Sequence, residues 1–206
     1  KGAVVEGFDA AYRRNVHRDD NTHLGALAQA LNASGECISA AGSQAALAAA
    51  DPRGHVADYR SDVLAATADP AFLRQCPVTL VAATPSELDR VVSLVSSNAP
   101  SGTVLLVVGV SETDAGTAHL HVALAHGPGF RSSALVSAST RRAPFVQLVD
   151  VAPTVLALRG DKAPNSMIGQ PWRSTGVRTL HLADEVGRLA RLDTAAQRQA
   201  AAVVPF

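Results

Sequence analysis

His119 and His121 stand one residue apart in the stretch AHLHVALAHGPGF. Alternate residues of an extended chain share a face, so two imidazoles at this spacing could turn toward one ion. Asp114 lies just upstream with Glu112 beside it, and a carboxylate there would extend the set to His119, His121 and Asp114. A divalent transition metal such as zinc is the ion such a mixed set takes, and bound there it would polarise an oxygen or generate hydroxide. The competing reading makes the histidines ordinary polar residues opening a strand and the acids solubilising residues of a loop. A second cluster, His17, Asp19, Asp20 and His23, has the right ligand types but also reads as the solvated lead-in to a helix. Gly109-Val110-Ser111 is followed by Thr113 where a nucleophile elbow needs its closing glycine, so a serine hydrolase fits poorly. Arg141 and Arg142 could grip an anion or simply be solvated. No glycine-rich phosphate loop of the Walker or dinucleotide type occurs.

These residues need strand ends and loops to hold them. The run 104–108, VLLVV, is apolar without alternation, which suits a central strand covered on both faces. A second strand over 120–125 ends in the turn His126-Gly127-Pro128-Gly129. Pro77 releases a strand over 78–82. Thr84-Pro85-Ser86-Glu87 then has the form of a capping box, so a helix should run to about Ser97. Earlier, Asn21 or Thr22 can cap a helix with Leu24, Leu27, Ala28 and Leu31 on one face and Gly35 as its stop, feeding a strand over 37–41. An alanine-rich helix over 43–50, an edge strand over 55–59 and a helical turn from Asp69 to Cys76 follow. Later, a strand or extended lead-in over 145–149 runs into a helix with Pro153 in its first turn and Gly160 just past its end. Strands alternating with helices in this way predict a layered α/β domain with a mainly parallel sheet. At the far end, residues 180–204 place Leu182, Val186, Leu189 and Leu192 at helical spacing, with Arg188, Arg191 and Arg198 facing outward.

The 206 residues allow a sizeable core, and Lys+Arg balance Asp+Glu at 18 each. That balance argues against a nucleic-acid or anionic-membrane surface. No apolar run is long enough to cross a bilayer, so no membrane insertion by this segment is expected. Arginine exceeds lysine 16 to 2 and alanine is abundant, a coding bias of GC-rich genomes such as those of actinobacteria.

The phrase VQLVDVAPTVLALRG, preceded in order by ALAHGPGF, resembles the alkaline phosphatase superfamily, particularly its arylsulfatase and phosphodiesterase branches. There the corresponding phrase has the form V-x-L-x-D-[IV]-A-P-T-[LV]-L-x-L-x-G. LGALAQALNASGECISAAG is similar to the family's helix that ends in glycine and feeds a strand, and MIGQPW to its later Met-x-Gly-x-[SP]-[LW] run. The resemblance spans roughly the middle two-thirds of the chain, and D-V-A-P-T is its one sharp motif. It implies an α/β/α layered fold over 1–176, the C-terminal portion of the superfamily fold, and a helical segment over 177–206 that could connect to a membrane anchor.

The family's chemistry is another matter. Its metal ligands, an Asp-His pair after the central strand and an Asp with a nearby His after the preceding strand, are replaced here by Gly109-Val110-Ser111 and by Ala83-Thr84-Pro85-Ser86. Gly42-Ser43-Gln44-Ala45 stands where sulfatases often have Gly-Lys-Trp-His. The resemblance therefore implies a catalytically silent relative without a cofactor. Such a protein would be an extracytoplasmic scaffold, sensor or partner-binding module, its partner an envelope protein or a small ligand. The alternative is a fragment of a metal-dependent phospho- or sulfohydrolase whose nucleophile lies upstream and whose ligands have moved to His119, His121 and Asp114. A third reading, a cytoplasmic flavodoxin-like binding domain, would require reduced cysteines. Beginning on Lys1 and ending on AAVVPF, the chain is expected to be a piece of a larger envelope protein. In that compartment Cys37 and Cys76 would pair, closing a loop of about 40 residues and adding roughly 3 to 4 kcal/mol. In a cytoplasmic protein they would be two buried thiols. Asn32-Ala33-Ser34 matches the glycosylation pattern, which a bacterial source would leave unmodified.

Overall fold

The computed structural model describes residues 1–16, 23–111, 119–178 and 181–203. The chain divides into two compact units, Lys1–Thr103 with Val149–Pro171, and Val104–Leu148 with Trp172–Phe206. It is a mixed α/β protein.

The first unit runs β1 (Ala3–Val4), α1 (Phe8–Val16), α2 (Ala26–Ala33), β2 (Ile38–Ala41), α3 (Ser43–Ala49), β3 (His55–Val56), β4 (Asp58–Arg60), α4 (Val63–Ala68), α5 (Phe72–Gln75), β5 (Val78–Val81) and α6 (Leu88–Asn98). It is completed by α7 (Val151–Arg159). Its centre is a three-stranded parallel sheet in the order β4-β2-β5, with Ser39 opposite both Asp58 and Thr79. All four residues of β2 are buried. Their alternation divides the core: Ile38 and Ala40 join Leu31, Ala45, Ala49 and Leu156 in one apolar cluster, and Ala41 joins Ala66, Phe72 and Leu73 in another. Small residues at Ser39, Ala40 and Ala41 let flanking helices approach closely. The Cys37–Cys76 disulfide is formed, tying the chain just before β2 to the chain just before β5. At the C-terminal ends of α2 and α7, Arg159 grips Glu36 with Nε at 3.0–3.1 Å and Nη2 at 2.5 Å, and the Ser34 hydroxyl donates to Asp161 at 2.6 Å.

The second unit consists of β6 (Leu105–Val108), β7 (Ala123–His126), β8 (Ser133–Val136), β9 (Arg173–Arg178) and α8 (Leu182–Val203). β6 pairs with β7 and β8 with β9, both antiparallel, with a register irregularity between Ser133 and Leu135. Leu135 and Trp172 are its buried apolar residues.

Several expectations change. The run 104–108 does form β6, but all four of its residues are only half-buried and its described hydrogen-bonded partner is antiparallel. The strand covered on both faces is β2, whose alanines carry less hydrophobic signal than VLLVV but fit the space between two layers. The edge strand over 55–59 is two short strands, β3 and β4, in different sheets. The lead-in over 145–149 is not a strand: a 3-10 turn, Leu148–Asp150, enters α7. α2 begins after Gly25, and the expected caps Asn21 and Thr22 lie outside the described residues. α7 keeps Pro153 in its first turn and ends on Gly160 at φ 81°, as the sequence predicted.

Candidate functional site

Open parallel sheets collect ligands at the carboxyl ends of their strands. Here that edge is formed by Ala41, Arg60 and Val81 with the residues that follow them. The Arg60 guanidinium lies 3.2 Å from Asp69 and 5.1 Å from the centroid of the Phe72 ring, so its charge is both paired and stacked. The Asp69 carboxyl is held below its ordinary value chiefly by the Ala71 amide, with Arg60 adding to the effect. Asp62 accepts the Ala65 N–H at 2.9 Å and caps α4.

After β5 come Ala82 and Ala83, then Thr84, whose hydroxyl donates to Glu87 Oε2 at 2.6 Å while its N–H reaches the same oxygen at 3.2 Å. These bonds hold the Glu87 carboxyl low. The expected box is therefore half formed: Glu87 caps back onto Thr84, and the regular helix starts only at Leu88. Asp62 and Glu87 on this edge are committed to helix starts and Asp69 to Arg60.

The second unit holds the histidines. His119 and His121 precede β7, and the Gly109 N–H bonds the Val122 carbonyl at 3.0 Å and prolongs the ladder. His119 Nδ1 lies 2.8 Å from Asp193 Oδ2 on α8, and Asp193 Oδ1 accepts the Leu120 N–H at 3.0 Å. The bond from His119, followed by the Leu120 amide, keeps the Asp193 carboxyl below its ordinary value. His121 is packed on Gly109, where a β-carbon would come within 2.8 Å of the His121 Cβ. That contact favours a residue without a side chain at this position. The imidazoles thus turn to different neighbours, one to a helix and the other to the end of β6. Among the described residues no group of three His, Cys, Asp or Glu side chains could hold a metal. Asp114 and Glu112 lie outside the described residues, as do His17, Asp19 and Asp20, while His23 is exposed.

The motif behind the resemblance has a structural role. Asp150 is fully buried, and its Oδ1 accepts the Gln170 N–H at 2.9 Å. The Thr154 hydroxyl returns to the Asp150 carbonyl at 2.6 Å, closing the first turn of α7. A β-carbon on Gly169 would stand 2.0 Å from the Val149 carbonyl oxygen, so only glycine lets the later strand of chain lie against the earlier one. D-V-A-P-T and M-I-G-Q-P-W are thus the two halves of one clasp. Arg142 stacks 5.5 Å over the Phe145 ring, and Arg141 takes a left-handed turn at φ 52°.

Sequence reasoning missed Asp193, whose only signal was an acid on a helix with no nearby motif. It also missed the Arg60–Asp69 pair, which only the fold brings together. Compared with protein-family models, curated proteins and solved structures, the chain gives no match.

Proposed function

We propose that this chain is a catalytically silent, alkaline-phosphatase-like domain that works outside the cytoplasm as a scaffold, sensor or partner-binding module. One observation carries the reading. The carboxyl end of β5, where the superfamily places a metal-binding carboxylate, has Ala82 and Ala83, and the next polar side chain, Thr84, is used to hold Glu87. A hydrolase of this kind needs hard ligands at that strand end to bind its ion. The disulfide supports an oxidising compartment, and no helix among the described residues is long and apolar enough to cross a membrane.

The test is elemental analysis of the chain purified without chelator, run beside assays on an aryl phosphate, a phosphodiester and an aryl sulfate. The expected result is no stoichiometric metal and no turnover. A bound transition metal that disappears in the His119→Ala, His121→Ala double variant would overturn the reading and make the chain part of a hydrolase.

A further inference from the structure

Where β7 ends, a half-open depression of about 350 Å³ is lined by Ala125, His126, Gly127, Phe130, Arg131 and Ser132. That volume is at the small end of those that hold organic ligands. The lining backbone is pinned: the Phe130 N–H bonds the Gly127 carbonyl at 3.1 Å, the Arg131 N–H bonds the Ser174 hydroxyl on β9 at 2.9 Å, and the Arg131 carbonyl accepts the Ser133 N–H at 2.7 Å. The loop is therefore shaped before anything binds, and less ordering entropy is lost on binding.

Its chemistry has one sign. The lining holds a guanidinium, an imidazole and a hydroxyl but no carboxylate, and the Arg131 side chain has no ion pair or hydrogen bond among the described residues. This contrasts with Arg60, Arg159 and Arg188, each paired with an acid. Phe130, half-buried, supplies an apolar wall beside the cation.

We infer that this depression binds the oxyanion headgroup, carboxylate or phosphate, of a small organic ligand. Arg131 presents its two-pronged donor face to the headgroup, His126 and Ser132 add donors, and Phe130 covers the ligand's apolar part. No metal takes part, and the inference stands whether or not the domain is catalytic.

The test is a heteronuclear NMR titration of the whole chain with benzoate, acetate, phenyl phosphate and inorganic phosphate, all at one ionic strength. Saturable shifts confined to His126 and the amides of residues 127–132 are expected, with the aromatic anions binding more tightly than acetate or inorganic phosphate. The order of benzoate and phenyl phosphate identifies the headgroup. Arg131→Gln, on an exposed side chain, should weaken binding about tenfold or more while leaving the rest of the spectrum unchanged. His126→Gln should weaken it less, and Arg53→Gln, exposed in the other unit, not at all. Linear, unsaturable shifts would overturn the inference, as would equal losses in Arg131→Gln and Arg53→Gln.

Discussion

The two units solve the same problem with different materials. The first hides a sheet of small residues between helices and fastens it with a disulfide, a buried aspartate and an arginine–glutamate grip. The second relies on antiparallel ribbons in which Leu120, Val122 and Leu124 stay about half exposed, at 50%, 48% and 48%. Among the described residues, every buried apolar side chain except Leu135 and Trp172 belongs to the first unit. Stability should therefore be concentrated in one unit, while the other has surface to offer.

The contrast can be broken most directly at Phe72, which is 1% exposed in the cluster beneath Ala41. Phe72→Ala should cost about 3 to 5 kcal/mol in denaturant unfolding and also leave Arg60 without its aromatic platform. Replacing Cys37 and Cys76 together by alanine should cost roughly 3 to 4 kcal/mol. Hydrogen exchange should then rise in β2 and β5 and stay unchanged in β6 and β7. If protection falls equally in both units, stability is shared and the contrast fails.

Smaller effects sharpen it. Leu124→Ala, on the open ribbon, should cost less than about 1 kcal/mol, well below the loss at Phe72. Ser39 is buried at the centre of the parallel sheet with a hydroxyl that meets no hydrogen-bond partner. Ser39→Ala should thus be neutral or up to about 1 kcal/mol stabilising in the same assay, since it removes a desolvated hydroxyl and fills nearly the same space.

The smallest expected effect is acid sensitivity at Glu36. The hydrogen bond from Arg159 keeps the Glu36 carboxyl below its ordinary 4.5. Its folded value is lower than its unfolded one, so its contribution is complete above 4.5 and disappears as pH falls through the folded value. The pair is partly solvated and should account for at most about 1 kcal/mol. Glu36→Gln should lower Tm near neutrality and narrow the gap from wild type on acidification, as read by thermal unfolding across the acid limb. A gap that widens in acid would refute the sign.

The legible parts were those with local causes. Pro153 and Gly160 bracket α7 through backbone rules that need no partner, and the helix expected over 180–204 is α8, although Leu182, Val186 and Leu192 of its apolar face stay exposed. The cysteine pairing was expected from an envelope location, and the Cys37–Cys76 bond is formed. The central strand was misplaced because hydrophobicity measures how much a strand can bury and not how closely its neighbours approach: Ala40 and Ala41 are at 0% exposure, while Leu105 to Val108 are half-covered. Asp193 reaches His119 across 74 residues, and no spacing rule spans such a distance. Asp150 was visible as part of a motif, but its bond to Gln170 was not, because the motif names residues and not their partners.

The clasp between Asp150 and Gln170 also sets an order of events during synthesis. Leu156 belongs to the same apolar cluster as Leu31 and Ile38, yet the chain makes the whole of 104–148 before it reaches that residue. At roughly 5–20 residues per second, the first 103 residues wait several seconds with part of their interior missing. A nascent chain emerging into an oxidising compartment would thus have both cysteines exposed to oxidation before its core can close. The disulfide can act first as a temporary brace for an unfinished sheet and only later as a fastening in a finished one.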